Sequence, residues 1–228
     1  SFKYFAGHSL GEYSALVCAE SITFQDALYL LHERGKAMQE AVSVGTGDMI
    51  AVLGMKINEV KDLLSEINEK GICEIANDNA VGQIILSGNK EKVDTIKKIL
   101  IDKKIKSIPL KVSAPFHCSL MKPAARKMTE KINNTKFVKP NYQIVTNVTA
   151  NPEDEPSSIK KLLIDQIFSA VRWRESLINM NKLSVINFIE IGPGKALSGM
   201  VKRTLKNVNC FSINSITDIK NLINEFKK

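Results

Sequence analysis

The middle of the chain alternates short apolar strands with amphipathic helices, and the order of these elements constrains the fold more than any other feature. The patterns predict strands at 49–53, 73–77, 83–87 and 106–112 and helices at 57–68 and 90–102. Turn residues at 79–82 join the second and third strands in a hairpin. The resulting order β-α-β-β-α-β is that of a ferredoxin-like subdomain, which we place at residues 46–112.

Strands and helices also alternate on both sides of this block. Strands are predicted at 1–6, 143–147, 185–191 and 211–214, and helices at 10–18, 23–42, 121–133, 159–168, 173–181, 195–205 and 219–226. A polar loop is expected at 151–158. Because such alternation indicates an α/β core, we expect residues 1–45 and 113–228 to form one larger α/β domain.

The composition is typical of a soluble globular protein, with 44% hydrophobic and 25% charged residues. No apolar run approaches the roughly 18 residues that span a bilayer, so we expect no membrane partner. The net charge of +8 comes from dispersed lysines, which indicates a solvated surface or an acidic protein partner rather than nucleic acid. Four scattered cysteines and three histidines have no metal-ligand spacing, so we expect no metal.

One short motif near the start of the chain points to chemistry. Gly7-His8-Ser9-Leu10-Gly11 fits the pattern G-x-S-x-G between a predicted strand and a predicted helix, which is the context of a nucleophile elbow. The free N–H groups of the following helix favour an oxyanion, so the Leu10 amide is a candidate for half of an oxyanion hole. The alternative is a glycine-flanked serine N-cap without chemistry.

A serine hydroxyl needs a base, and the sequence offers only His8, His32 and His117. His8 adjoins the serine, and neighbouring side chains diverge at a turn; His32 lies inside a predicted helix. His117 follows a strand end on a loop and is the best candidate by elimination. On its own it would be more typical of a packed loop histidine than of a catalyst.

The motifs together resemble the malonyl-CoA:acyl-carrier-protein transacylases of type II fatty-acid synthesis. The resemblance begins at the elbow motif, which continues to Leu16, and recurs in the same order over nearly the whole chain. It rests on Arg34-Gly35-Lys36-Ala37-Met38-Gln39, Ala76-Asn77-Asp78-Asn79-Ala80-Val81-Gly82-Gln83, Ser113-Ala114-Pro115-Phe116-His117-Cys118, Thr146-Asn147-Val148-Thr149-Ala150, Val171-Arg172-Trp173 and Glu190-Ile191-Gly192-Pro193-Gly194. It implies an α/β-hydrolase-like core with a ferredoxin-like insertion.

The resemblance implies a role for each matching residue. Ser9 matches the nucleophile, His117 the general base, and Gln166 the residue whose backbone carbonyl orients that histidine. A Ser–His dyad would result, because a carbonyl fixes the tautomer without supplying a charge. Arg34 matches the arginine that binds the malonyl carboxylate, for which the two parallel donors of a guanidinium are suited. Without the surrounding motifs, an exposed helix arginine would be the expectation.

The remaining implied site residues concern the substrate pocket. Asn79 and Asn147 match positions near the pocket, and Phe116 would crowd a 2-methyl group, which favours malonyl over methylmalonyl units. Phe116 as simple core filler is the alternative. The family also has a Gly-Gln-Gly loop whose glutamine donates the second oxyanion hydrogen bond, and we expect it upstream of Ser1.

The implied reaction is ping-pong malonyl transfer from malonyl-CoA to the phosphopantetheine of an acyl carrier protein, without a cofactor and by a monomer. Candidate contacts for the acidic carrier are Lys111, Lys195, Lys202 and Arg203. The alternatives are a polyketide-type acyltransferase, a serine thioesterase and a non-catalytic carrier-protein-binding fragment. A type II pathway and an AT-rich composition indicate a plastid (apicoplast-like) stroma or a bacterial cytoplasm.

Overall fold

The computed structural model describes residues 2–227, and the chain divides into two compact units, Ser1–Ser176 and Leu177–Lys228. The predicted block 46–112 lies inside the first unit, and its boundaries as a subdomain stay a prediction. The strands are β1 (Tyr4–Ala6), β2 (Gly47–Leu53), β3 (Cys73–Ala80), β4 (Gln83–Asn89), β5 (Ser107–Pro109), β6 (Gln143–Val145), β7 (Pro152–Glu153), β8 (Asn187–Ile191) and β9 (Asn209–Ile213). The α-helices are α1 (Gly11–Cys18), α2 (Phe24–Gln39), α3 (Ile57–Glu66), α4 (Lys90–Asp102), α5 (Lys122–Asn134), α6 (Pro156–Gln166), α7 (Trp173–Lys182), α8 (Ala196–Thr204) and α9 (Ile216–Phe226).

The first unit contains a small mixed sheet in the order β1-β6-β7, with β1 parallel to β6. Its core lies among α1, α2, α5 and α6, and is filled by buried side chains such as Tyr13, Leu16, Leu30, Met128 and Ile144. Apolar spacing along α2, α5 and α6 explains why one face of each of these helices is buried. The end of β1 therefore lies against the helical core, and the elbow motif begins at this end.

Helix α2 begins where Thr23 caps it, since its side chain accepts a hydrogen bond from the Asp26 N–H. The helix ends at Gln39, three residues before the predicted end at Val42. Ala41 and Val42 are partly buried against the core from the turn that follows. These two residues thus pack on the core instead of continuing the helix, although local propensity favours a longer helix.

The middle block forms a four-stranded antiparallel sheet in the order β3-β4-β2-β5. Strand residues alternate between its two faces. Ile50, Val52, Ile84 and Leu86 pack with residues of α3 and α4, whereas Met49, Ala51 and Ile85 form the opposite face with Ala76 and the partly buried Phe116. The second face therefore packs against the loop that carries the candidate base.

Several boundaries differ from the prediction. The hairpin turn is Val81-Gly82 rather than 79–82, because Ala80 pairs with Gln83 and Gly82 supplies the positive φ of 71°. Strand β5 is shorter than predicted, and the predicted polar loop at 151–158 contains β7 and the start of α6. Pro156 suits the first turn of a helix, where the missing N–H costs nothing.

The second unit pairs β8 and β9 in parallel, with α8 between them in the chain. The Glu190 carboxylate accepts hydrogen bonds from the Leu197 and Ser198 N–H groups and so caps α8. Along residues 2–227, no helix combines the length and apolarity needed to cross a membrane.

Candidate active site

Ser9 lies at a sharp turn between β1 and α1. Its φ of 53° is in the left-handed region, which is strained for a residue with a side chain. A Cβ on Gly7 would be 1.9 Å from the Gly11 carbonyl oxygen, so only glycine allows this close approach of strand and helix. This geometry is that of a nucleophile elbow.

His117 reaches Ser9 from a loop 108 positions away, with 2.7 Å between its Nε2 and the Ser9 Oγ. Its Nδ1 lies 2.8 Å from the main-chain oxygen of Gln166. Because a carbonyl oxygen only accepts, Nδ1 carries the proton and the lone pair of Nε2 faces the serine hydroxyl. His117 itself has a φ of 58°, which turns its side chain out of the loop towards the elbow.

The environment keeps this imidazole neutral. Burial is the main cause that lowers the pKa of His117 to about 3, and the positive charge of Arg34 contributes to the same shift. The hydrogen bond to the Gln166 carbonyl opposes these effects only in part. At neutral pH the ring is therefore in the form that accepts a proton.

Arg34 is buried on α2, with 7% of its surface exposed, and points into the same site. Its Nη2 donates to the Ser9 Oγ at 3.1 Å and to the Gln166 Oε1 at 3.0 Å. Within residues 2–227 no carboxylate forms an ion pair with it, and its Nε has no hydrogen-bond partner. The site thus holds a buried cation beside the nucleophile, which suits an anionic acyl group.

A polar network that the sequence did not predict lies under the turn. Asn147 accepts from the Ser9 N–H at 2.7 Å and donates to the Gly7 carbonyl at 2.8 Å. Glu12 is buried and accepts from the Asn147 N–H and from Gln166 Nε2. An acidic residue in the first turn of a helix is usually exposed, so only its place inside the elbow motif could have signalled this role.

The other predicted site residues lie around this centre. Asn79 is buried at the end of β3, and its Oδ1 lies 2.7 Å from His8 Nε2. Asn79 is therefore the hydrogen-bond partner of the His8 side chain, and the His8 ring also contacts Trp173. The Leu10 side chain is exposed, and within the described chain no acceptor is hydrogen-bonded to its N–H.

The residue predicted to set substrate selectivity and the candidate carrier contacts lie in different surroundings. Phe116 packs between the helical core and the sheet face that contains Met49, so it fills the core and adjoins His117 at the same time. The candidate carrier contacts are exposed in their respective units: Lys111, Lys195, Lys202 and Arg203. Along residues 2–227 no cluster of three or more His, Cys, Asp or Glu side chains could hold a metal ion.

Comparison with known proteins identifies the family. Residues 3–225 match the acyl transferase domain family. The chain is 40% identical over 225 residues to the malonyl CoA-acyl carrier protein transacylase of Bacillus subtilis, covering 98% of this chain and 71% of that protein. The corresponding Haemophilus influenzae protein is 38% identical over 222 residues, with 97% and 71% covered. The chain belongs to the malonyl-CoA:acyl-carrier-protein transacylase family.

Solved structures of this family agree with the fold. An acyl-carrier-protein-S-malonyltransferase from Bartonella henselae has a TM-score of 0.96 and 37% identity, with 100% of this chain and 73% of that chain covered. A malonyl-transacylase in complex with a type II polyketide-synthase acyl-carrier protein has a TM-score of 0.95 and 35% identity, with 99% and 73% covered. The resemblance inferred from the motifs and the α/β class are therefore confirmed. These named relatives with a stated organism are bacterial, which agrees with the bacterial alternative for the source; the plastid stays a prediction.

Proposed function

We propose that this chain transfers the malonyl group from malonyl-CoA to the phosphopantetheine thiol of an acyl carrier protein. The observation that carries the proposal is the convergence on Ser9 Oγ of the His117 imidazole at 2.7 Å and the Arg34 guanidinium at 3.1 Å. A nucleophile, a neutral base and a cation for the free carboxylate are the groups that this reaction requires.

The first half-reaction loads the serine. Ser9 Oγ attacks the thioester carbonyl carbon while its proton passes to His117 Nε2, and the Leu10 N–H faces the oxyanion that forms. The C–S bond then breaks, and the CoA sulfur takes the proton from His117. The malonyl group remains as an ester on Ser9, with its carboxylate on Arg34.

The second half-reaction reverses these steps with a different thiol. The pantetheine thiol of the carrier gives its proton to His117, and its sulfur attacks the ester carbonyl. The C–O bond breaks, and Ser9 Oγ recovers the proton from His117. The Gln166 carbonyl holds the imidazole in one tautomer throughout, so the ring can act as base and as acid in turn. These steps use no cofactor other than the pantetheine of the carrier.

The same proposal covers the finer architecture and the pocket. We infer an α/β-hydrolase-like core with a ferredoxin-like insertion at 46–112, which the antiparallel sheet order β3-β4-β2-β5 supports. Phe116 beside the base disfavours a 2-methyl group, and Asn79 contributes to the pocket wall through His8. Exposed Lys111, Lys195, Lys202 and Arg203 are proposed contacts for the acidic carrier.

Radiolabelled malonyl-CoA tests the proposal directly. The wild-type protein should become labelled on Ser9 and pass the label to carrier protein, whereas Ser9→Ala should take none. Arg34→Ala should lose the preference for malonyl-CoA over acetyl-CoA but keep the serine reactive. Label recovered as free malonate at the rate of acylation, with or without carrier, would instead identify a thioesterase. Absence of label on the wild-type protein would leave only a carrier-binding role.

Selectivity among extender units separates the polyketide-type alternative. Phe116→Ala should raise the rate of acylation by methylmalonyl-CoA relative to malonyl-CoA, because removing the ring makes room for the extra methyl group. A wild-type protein that accepts both substrates equally would contradict the assignment of Phe116.

A further inference from the structure

Glu12 is a buried carboxylate that the proposed reaction does not use. It lies in the first turn of α1 with 1% of its surface exposed. Its Oε2 accepts two hydrogen bonds, from the Asn147 N–H at 3.0 Å and from Gln166 Nε2 at 2.9 Å. A buried charge is expensive to keep, so a group retained in such a place needs an explanation.

The Gln166 carboxamide connects this carboxylate to Arg34. Its Nε2 donates to Glu12 Oε2 and to the Ser9 carbonyl, and its Oε1 accepts from Arg34 Nη2 at 3.0 Å. A carboxamide has one donating and one accepting end, so the acceptors at Nε2 decide which end faces the guanidinium. A flipped amide would oppose donor to donor at Arg34 and acceptor to acceptor at Glu12.

The amide also keeps the two charges apart. Glu12 acts electrostatically on Arg34 but forms no ion pair with it within the described residues. The guanidinium is therefore oriented by a neutral group, and its charge is not neutralised by a short contact with a protein carboxylate. An arginine held in this way keeps its attraction for a substrate carboxylate.

We propose that Glu12 is a positioning residue that orients the Gln166 carboxamide and thereby aims Arg34 at the acyl carboxylate beside Ser9. The inference rests on the proposed function, since it assumes that Arg34 recognises the malonyl group. It separates two roles within Gln166: the main-chain carbonyl serves His117, and the side chain serves Arg34.

Malonyl-over-acetyl selectivity measures this role. The readout is the ratio of second-order rate constants for Ser9 acylation by labelled malonyl-CoA and labelled acetyl-CoA. This ratio does not depend on the fraction of protein that is folded, so a merely structural defect lowers both rates and leaves the ratio unchanged. Arg34→Ala serves as the reference for complete loss of carboxylate recognition.

Three substitutions of Glu12 separate its shape from its ability to accept hydrogen bonds. Glu12→Met keeps the approximate volume but removes the acceptor, and the ratio should fall about tenfold or more. Glu12→Gln keeps an oxygen where Oε2 lies, and the ratio should stay within about threefold of wild type. Glu12→Asp draws the carboxylate back by one methylene and should lower the ratio even if the Met variant does not fold.

A double-mutant cycle tests the route through Gln166. Gln166→Leu removes the carboxamide and keeps the main-chain carbonyl, so it should lower the ratio as Glu12→Met does. The double variant should lose no more selectivity than Gln166→Leu alone, because both changes break one path. Additive losses in the double variant would overturn the role of Glu12 and leave the proposed function standing. Unchanged ratios in Glu12→Met and Glu12→Asp, together with lost selectivity in Arg34→Ala, would do the same. An unchanged ratio in Arg34→Ala would instead refute the proposed carboxylate recognition.

Discussion

Replacing Glu12 by glutamine should stabilise the protein at alkaline pH and leave its stability almost unchanged in acid. Burial raises the pKa of Glu12 from its ordinary value of 4.5 to about 7, against the opposing hydrogen bonds from Gln166 and Asn147 and the charge of Arg34. The other titratable group that interacts with it is Tyr13, whose own pKa is raised to about 12 and which stays neutral.

The size of the effect follows from the linkage between protonation and folding. A carboxyl group with a higher pKa in the folded state contributes its stability fully below pH 4.5, and this contribution is lost as the pH rises through 7. A shift of about 2.5 pKa units corresponds to about 3 kcal/mol, which accumulates between these two pH values and then levels off. Glutamine does not titrate, so Glu12→Gln avoids this loss.

Urea unfolding of wild type and Glu12→Gln at intervals from pH 4 to pH 8 measures the effect. The difference in the free energy of unfolding should be small at pH 4 and should grow to about 3 kcal/mol in favour of the variant at pH 8. Glu69→Gln, at an exposed loop position, is the matched control and should show no such trend. A difference that is independent of pH, or that favours wild type at pH 8, would refute the reasoning.

Three further predictions concern the base, its loop and the turn. Because the pKa of His117 is lowered to about 3, the second-order rate constant for acylation by malonyl-CoA, measured by quenched flow, should stay unchanged as the pH is lowered well past 6.5. A fall of this rate constant centred at pH 6.5 would contradict a buried neutral base. Gly47→Ala would place a Cβ 2.3 Å from Pro115 Cγ, so the shifted base loop should slow acylation about tenfold or more, while Gly199→Ala, whose Cβ meets nothing within 4 Å, should not. Asn147→Asp would place a buried carboxylate oxygen opposite the Gly7 carbonyl oxygen, to which the Asn147 amide now donates. The variant should lose about 3 kcal/mol of unfolding free energy at pH 8, measured by urea unfolding. A free energy of unfolding equal to that of wild type would exclude this contact.

The sequence predicted the helices and most strands because their signals are local. Apolar spacing and turn residues indicated the strands and helices of the middle block, which contains the antiparallel sheet β3-β4-β2-β5. The errors lie where tertiary contacts override local preference. Strand β7 is two residues long and exists by pairing with β6, and the residues after Gln39 leave the helix to pack on the core.

The candidate site was predicted unevenly for a related reason. Ser9 stands in a local motif, and His117 was reached by elimination among three histidines. Arg34 and Gln166 came from the resemblance alone, since an arginine and a glutamine in amphipathic helices carry no signal of their own. The structure brings all four together, and their chemical roles remain proposals that the labelling and selectivity experiments test.

Buried Glu12 shows most clearly why some residues of the site could not be predicted from the sequence. Glu12 and its partner Gln166 are 154 positions apart, so neither its burial nor its orientation follows from any local pattern. The orienting effect that we propose for Glu12 on Arg34 is also indirect, because it passes through the neutral Gln166 carboxamide, which has one donating and one accepting end. Yet the orientation of that amide decides whether Arg34 Nη2, which also donates to Ser9 Oγ, meets an accepting oxygen or a donating nitrogen of Gln166. Under the proposed function, selectivity for the acyl carboxylate should therefore depend on the Gln166 carboxamide behind Arg34 as well as on the arginine itself.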